Sequence, residues 1–148
     1  MKIYVDADAC PVQKEIIQVA RLYDLSVVLV KSYSHFSHDD HPSFVETVYV
    51  DQGRDMADLE ILKRAVKNDI VITQDYGLAS LLLPKGCIVL HHKGFLFSEK
   101  NIDRLLSTRH ASAKARRAGQ RTKGPKPLTE EDKIKFSQLL IKMIEKHL

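Results

Sequence analysis

The chain's 148 residues are 44% hydrophobic and 28% charged, with a net charge of +4, the composition of a globular protein with room for one core. No apolar run approaches the ~18 residues a membrane helix needs, Asp6 and Asp8 interrupt any secretory leader, and two isolated cysteines, Cys10 and Cys87, argue against a disulfide framework or a zinc knuckle. The expectation is a reduced, cytoplasmic protein without membrane association.

"KIYV" reads as a buried first strand. Pro11 suits the first position of a helix, and Val12, Ile16, Val19, Ala20 and Tyr23 recur at helical spacing. "LSVVLV" (25–30) and "ETVYV" (46–50) are the second and third strands, joined by a long connection over 31–45 of the kind that usually carries function. A helix is predicted from Asp55 to Lys67, with Leu59, Leu62 and Val66 on its apolar side. "DIVIT" (69–73) is the fourth strand, Gly77–Leu83 a short helix ended by Pro84, and "CIVLHH" (87–92) the fifth strand. This alternation predicts an α/β fold of three layers, α/β/α, around a mainly parallel five-stranded sheet. Beyond it come a helix near Asn101–Ser107, a basic stretch and a final amphipathic helix. That last helix has Thr129 as its N-cap and Phe136, Leu139, Leu140, Met143 and Ile144 as its stripe. We divide the chain into an α/β domain over 1–108 and a C-terminal part over 109–148 that packs on it.

The charge is unevenly spread. Arg109, Lys114, Arg116, Arg117, Arg121, Lys123 and Lys126 occur without an intervening acid. Taking those seven cations from a net +4 leaves a body of −3. A basic stretch of this kind confers salt-dependent, sequence-independent affinity for a phosphate backbone, and the alternative is a solvated helix end. The stretch has no aromatic residue, so base stacking would fall to Tyr76, Phe95 or Phe97.

Ligands of open α/β sheets bind beyond the carboxyl ends of the strands. Asp6 and Asp8 follow strand one, Asp75 follows strand four in "VITQDYGLA", and Asp55 and Asp58 open the second helix three residues apart. If strands one and four are neighbours, these acids meet. Two carboxylates about 5 Å apart repel by roughly 3 kcal/mol at an effective dielectric near 20, so a proton, a cation or a metal must offset them. Hard oxygen donors suit Mg²⁺ or Mn²⁺, and the chemistry suggested is phosphodiester hydrolysis. Each acid also has a plainer reading: Asp55 as an N-cap, Asp58 as a complement to the helix dipole, Asp75 as a turn residue and Asp8 as a cap.

The segments "VDADACPV", "DQGRDMADLEI", "VITQDYGLA" and "NIDRLLSTRHASAKARRAGQRTKGPKPLT", in that order, closely resemble the uncharacterised bacterial YaiI/YqxD family. The resemblance spans essentially the whole chain. It implies a PIN-like fold, shared with PIN and NYN nuclease domains, in which acids after the first strand, in a central helix and after the fourth strand hold divalent metal. Asp6 and Asp75 then match the first- and fourth-strand acids, with Thr73 in support, and Asp58 and Asp55 the helix acid. Asp8 is an extra carboxylate of the family's own opening motif. PIN-like domains also include members without catalysis.

Three functions are therefore weighed. The leading one is a divalent-metal-dependent nuclease acting on RNA, with Asp6 and Asp75 catalytic, Asp6, Asp8, Asp55, Asp58 and Asp75 as metal ligands, and Arg109, Lys114, Arg116, Arg117, Arg121 and Lys123 on nucleic acid. The second is a non-catalytic RNA-binding module, and the third a phosphoryl-transfer protein, either with "DADAC" as a DxDx[TV]-like nucleophile motif, against which Cys10 stands at the Thr/Val position, or with Asp51 as acceptor beside Thr73 and Lys93. A homo-oligomer is compatible with the final helix. His35, His38 and His41, with Asp39 and Asp40, suggest a surface flap more than zinc; His91 and His92 read as ordinary strand residues. A lowered pKa is open to Cys10 near a helix N-terminus, and the default reading is a packed thiol. A Cys-x5-Arg phosphatase loop is excluded by Ile16.

Overall fold

The computed structural model describes residues 1–35, 40–53, 55–107 and 127–148. The chain runs β1 (Lys2–Asp6), α1 (Gln13–Leu22), β2 (Ser26–Ser32), β3 (Val45–Val50), α2 (Met56–Arg64), β4 (Ile70–Ile72), α3 (Tyr76–Leu82), β5 (Ile88–His91), β6 (Phe95–Leu96), α4 (99–107) and α5 (Glu130–His147). The strands form one sheet in the order β3-β2-β1-β4-β5-β6. All neighbours pair in parallel except β5 and β6. Arg109, Lys114, Arg116, Arg117, Arg121, Lys123 and Lys126 lie outside the described residues, as do His38 and Asp39.

Successive residues of a strand point to opposite faces, and the core divides accordingly. Ile3, Val5, Val27, Leu29, Ile70, Ile72 and Leu90 pack on the side of α1 and α5. Tyr4, Val28, Val30, Val71 and Val89 pack on the side of α2, α3 and α4. The result is the expected three-layer α/β/α arrangement, with strands apolar on both faces.

The sheet has six strands where the sequence predicts five. β6 is two residues long, too short to show a period-2 pattern, and it is made by the turn before it. Gly94 has φ +92°, and a Cβ there would lie 2.9 Å from Lys135 Cγ and 3.1 Å from the Phe136 backbone nitrogen. Both the backbone conformation and the approach of α5 therefore require glycine.

A second correction concerns α2. Leu59 is 58% and Val66 59% exposed, while Ile61 and Ala65 are fully buried and Ala57 packs beside them. Ile61 faces the sheet with Ala57 and Leu62 partly buried beside it, and the helix ends at Arg64, short of the expected Lys67, so that Ala65 and Val66 lie past its last turn. Leu59 is thereby turned outward.

α5 begins as predicted. Asp132 N–H donates to Thr129 Oγ1 at 3.1 Å and Thr129 N–H to Asp132 Oδ2 at 3.0 Å, a capping box. Phe136, Leu140, Met143 and Ile144 are buried against α1, with Leu139 partly buried beside them. At the opposite end of the sheet, buried Asp69 ties two segments together, accepting from Lys2 N–H and Val66 N–H at 3.0 Å each. Among the described residues, no helix is long and apolar enough to cross a membrane.

Candidate acidic site at the carboxyl edge of the sheet

Strand order reverses between β1 and β4, because the chain leaves β1 toward β2 and β3 and returns to its other side. The last pair between the two strands is Val5 and Ile72. One residue farther on, Thr73 Oγ1 donates to Asp6 Oδ2 at 3.1 Å and accepts from Asp75 N–H at 3.0 Å. A buried hydroxyl thus links the acid of β1 to the acid that follows β4. Asp75 is also the N-cap of α3, accepting from Leu78 N–H at 3.0 Å, so the cap and the site acid are the same side chain. A Cβ on Gly77 would come 3.2 Å from Asp75 Oδ1. Glycine there leaves the carboxylate its place.

Asp55 and Asp58 come from the start of α2. Asp55 holds the N-cap position, but its side chain makes no capping bond and its φ is +67°, a conformation costly for a residue with a Cβ. With Asp75 these two acids line a cavity of about 430 Å³, whose apolar wall is Leu59, Leu62, Leu78 and Leu81. Asp8 lies apart: both of its oxygens accept from Ser32 N–H at 3.1 Å, tying the turn after β1 to the end of β2. It reaches the cluster through its charge, which acts on Asp6.

Electrostatics mark the cluster as crowded. Burial raises the Asp6 carboxyl above its ordinary range, the Thr73 hydrogen bond opposes this, and the charges of Asp75 and Asp8 raise it again. Asp58 is pushed up to about 7, by burial first, then by hydrogen-bonding contact with the Asp75 carboxyl, then by the charges of Asp75, Asp6 and Asp55. Among the described residues, no cation figures in setting either value.

No group of three or more His, Cys, Asp or Glu side chains among the described residues is already arranged to hold a metal ion. The donor chemistry of Asp6, Asp58 and Asp75 nevertheless fits Mg²⁺ or Mn²⁺: the donors are hard oxygens, crowded, and no cation among the described residues acts on Asp6 or Asp58. A proton held by Asp58 near neutrality is what a cation would replace.

Other sequence candidates do not join this cluster. Asp51 follows edge strand β3, with β2 and β1 between it and β4. At about 4.8 Å per strand step it is far from Thr73, so the phospho-acceptor arrangement does not form. Cys10 is pushed up to about 12, chiefly by burial, the opposite of an activated thiol, and is read as packed. Phe97 is 1% exposed and cannot stack on a base; Tyr76 and Phe95 are partly buried.

His91 ends β5 and His92 opens the turn that follows it. Both are buried at the exit of β5, and Lys93 N–H donates to His91 Nδ1 at 3.0 Å. Burial, together with His92 and Lys93, pushes His91 down to about 4. His91 and His92 line a second cavity with Gln74 and Tyr76, a grouping that only the strand order β1-β4-β5 reveals.

The sequence matches the model of the family described as "Uncharacterized BCR, YaiI/YqxD family" over residues 4–146. It is 59% identical over 146 residues to a UPF0178 protein of Oceanobacillus iheyensis, covering 99% of this chain and 100% of that relative. It is 58% identical over 144 residues to UPF0178 proteins of Bacillus thuringiensis subsp. konkukian and Bacillus anthracis, covering 97% of this chain and 99% of each relative. Among solved structures it is similar to Rae1 (YacP) from Bacillus subtilis, with a TM-score of 0.44 and 16% identity over 100% of both chains.

Proposed function

The chain belongs to the YaiI/YqxD family, and we propose that it is a divalent-metal-dependent nuclease hydrolysing phosphodiester bonds in RNA. The observation that carries this reading is the convergence of Asp6, Asp58 and Asp75 at the point where strand order reverses, with Asp58 raised to about 7 in a crowd of like charge. In a PIN-like domain these three positions hold the ion, and the charges of Asp8 and Asp55 deepen the negative potential around it. A bound Mg²⁺ or Mn²⁺ supplies Lewis acidity toward the phosphoryl oxygens and the attacking water.

The chain's own residues do the rest. Thr73 fixes the Asp6 carboxylate and the Asp75 backbone relative to each other, and Leu78 N–H aims the Asp75 side chain. Water attacks phosphorus, the P–O bond to one sugar breaks, and that sugar leaves as an alcohol. A carboxylate of the cluster takes the proton released from the water, and a proton passes from the cluster to the departing sugar oxygen. Arg109, Lys114, Arg116, Arg117, Arg121 and Lys123 hold the strand through its phosphates.

The test is cleavage of an end-labelled single-stranded RNA with millimolar Mn²⁺. Asp6→Asn and Asp75→Asn are each expected to lower the rate at least about 100-fold, the scale for losing a group that stabilises transition-state charge. Folding survives, because asparagine can accept from Thr73 and can cap α3. Wild-type rates in both variants, or undiminished cleavage in EDTA, would overturn the proposal.

A further inference from the structure

The second cavity lies on the same sheet edge, on the far side of the α3 N-terminus. It measures about 440 Å³ and is lined by Gln74, Tyr76, His91, His92, Lys93 and Pro127, among others. We infer that it holds one nucleotide unit of the single-stranded chain whose phosphodiester lies at the acids. This inference rests on the nuclease reading for its substrate, and it adds a subsite and the residues that form it.

Position is the first argument. Gln74 and Tyr76 flank Asp75 in the sequence, so the turn into α3 presents its acid to one cavity and that acid's two neighbours to the other. A strand with a phosphate at Asp75 passes its adjacent unit to Tyr76. Pro127, on the cavity's rim, directly follows the basic stretch that ends in Lys126.

Chemistry is the second. The first cavity is lined by three carboxylates, whereas among the described residues this one has none and has Lys93 as a cation. The Tyr76 ring is held edge-on to Phe97 at 5.7 Å and lies 6.2 Å from His91, which stacks on Phe95 at 4.6 Å. A ring fixed in this way offers a base a stacking surface at little cost in side-chain ordering. His91 accepts at Nδ1 from the Lys93 backbone, so its neutral ring carries hydrogen on Nε2 and serves as a donor. The exposed Gln74 amide both donates and accepts, as recognition of a base edge requires. The volume lies in the range of small-ligand sites, roughly 300–1,000 Å³.

The experiment titrates 5′-AMP, 5′-UMP, pentaadenylate and inorganic phosphate into the full chain in EDTA, followed by backbone amide chemical shifts and calorimetry. Saturable nucleotide binding is expected, centred on residues 74–76 and 91–93. Pentaadenylate is expected to bind more tightly than AMP, and phosphate at least tenfold more weakly. Lys93→Ala and Gln74→Ala should each weaken AMP at least fivefold, and Tyr76→Leu at least tenfold, with Tm unchanged in the exposed Gln74 variant. Asp6→Asn should leave AMP affinity as it is. Phosphate binding as tightly as AMP would overturn the base contact, and AMP binding more tightly than pentaadenylate would overturn the strand contact. Absence of nucleotide binding together with intact Mn²⁺-dependent cleavage would overturn the subsite alone. Nucleotide binding with no cleavage would instead overturn the nuclease reading.

Discussion

Replacing Asp58 by asparagine tests the acidic cluster before any substrate is known. In the folded chain Asp58 titrates near 7, whereas in the unfolded chain an aspartate titrates at about 3.9. A carboxyl whose folded value is raised binds more protons folded than unfolded between those limits, so its contribution to stability falls as pH rises from about 4 to about 7. Above pH 7 the penalty is complete. Three pKa units correspond to about 4 kcal/mol. Because Asp58 is only partly buried and so screened by solvent, we take about half of that, roughly 2 kcal/mol. The asparagine side chain carries no charge, so Asp58→Asn is expected to raise Tm by about 6 °C at pH 8 and by only about 2 °C at pH 5, where Asp58 is largely protonated already. His91, held down to about 4, loses stability in the opposite direction as pH falls below about 6.5, but it is common to both proteins and cancels in the difference. The assay is a melting curve by circular dichroism at the two pH values in EDTA, repeated with millimolar Mn²⁺. Metal is expected to stabilise the wild type and to reverse the order of the two proteins at pH 8. An equal Tm difference at both pH values would refute the crowded-carboxylate reasoning.

Thr73→Val keeps the side-chain shape but removes the donor to Asp6 and the acceptor for Asp75 N–H; a loss of about 2 kcal/mol and an upward displacement of the pH profile of cleavage are expected, read by denaturant titration and by rates from pH 5 to 9. Gly77→Ala improves helix propensity by up to about 1 kcal/mol yet presses on Asp75 Oδ1, so cleavage is expected to fall more than tenfold with Tm held or raised; a parallel fall in both would count against the steric argument. Asp69→Ala strips the acceptor from two backbone N–H groups at the end of the sheet away from the site. It is expected to cost about 2–3 kcal/mol while leaving the rate per folded molecule intact, which a thermal melt and an assay below the transition together decide.

The acids were legible because their positions follow from chain order. Each stands just past a strand or at the start of a helix, and the exit of parallel strands gathers such residues at one edge. The capping box of α5 was legible for a similar reason, since Thr129 and Asp132 are three residues apart and need no tertiary partner. Partners distant in sequence were not legible. Nothing near Asp8 announces that its carboxylate reaches Ser32, 24 residues away.

The misread face of α2 has the same origin and bears on function. Periodicity favours large apolar residues, so Leu59 and Val66 outweigh Ala57 and Ala65 in the sequence, although the alanines face the sheet. Asp58 follows Ala57 on the first turn of α2, near enough to Asp75 and Asp6 for their charges to raise it. Enlarging Ala65, fully buried at the end of α2, to leucine would lift the helix from the sheet. Its effect on the cluster would be read as a fall in the Asp58 pKa toward the ordinary carboxylate range, followed by carboxyl-carbon NMR. An unchanged Asp58 titration in a folded Ala65→Leu protein would mean that the helix start, rather than its seat, positions the acid.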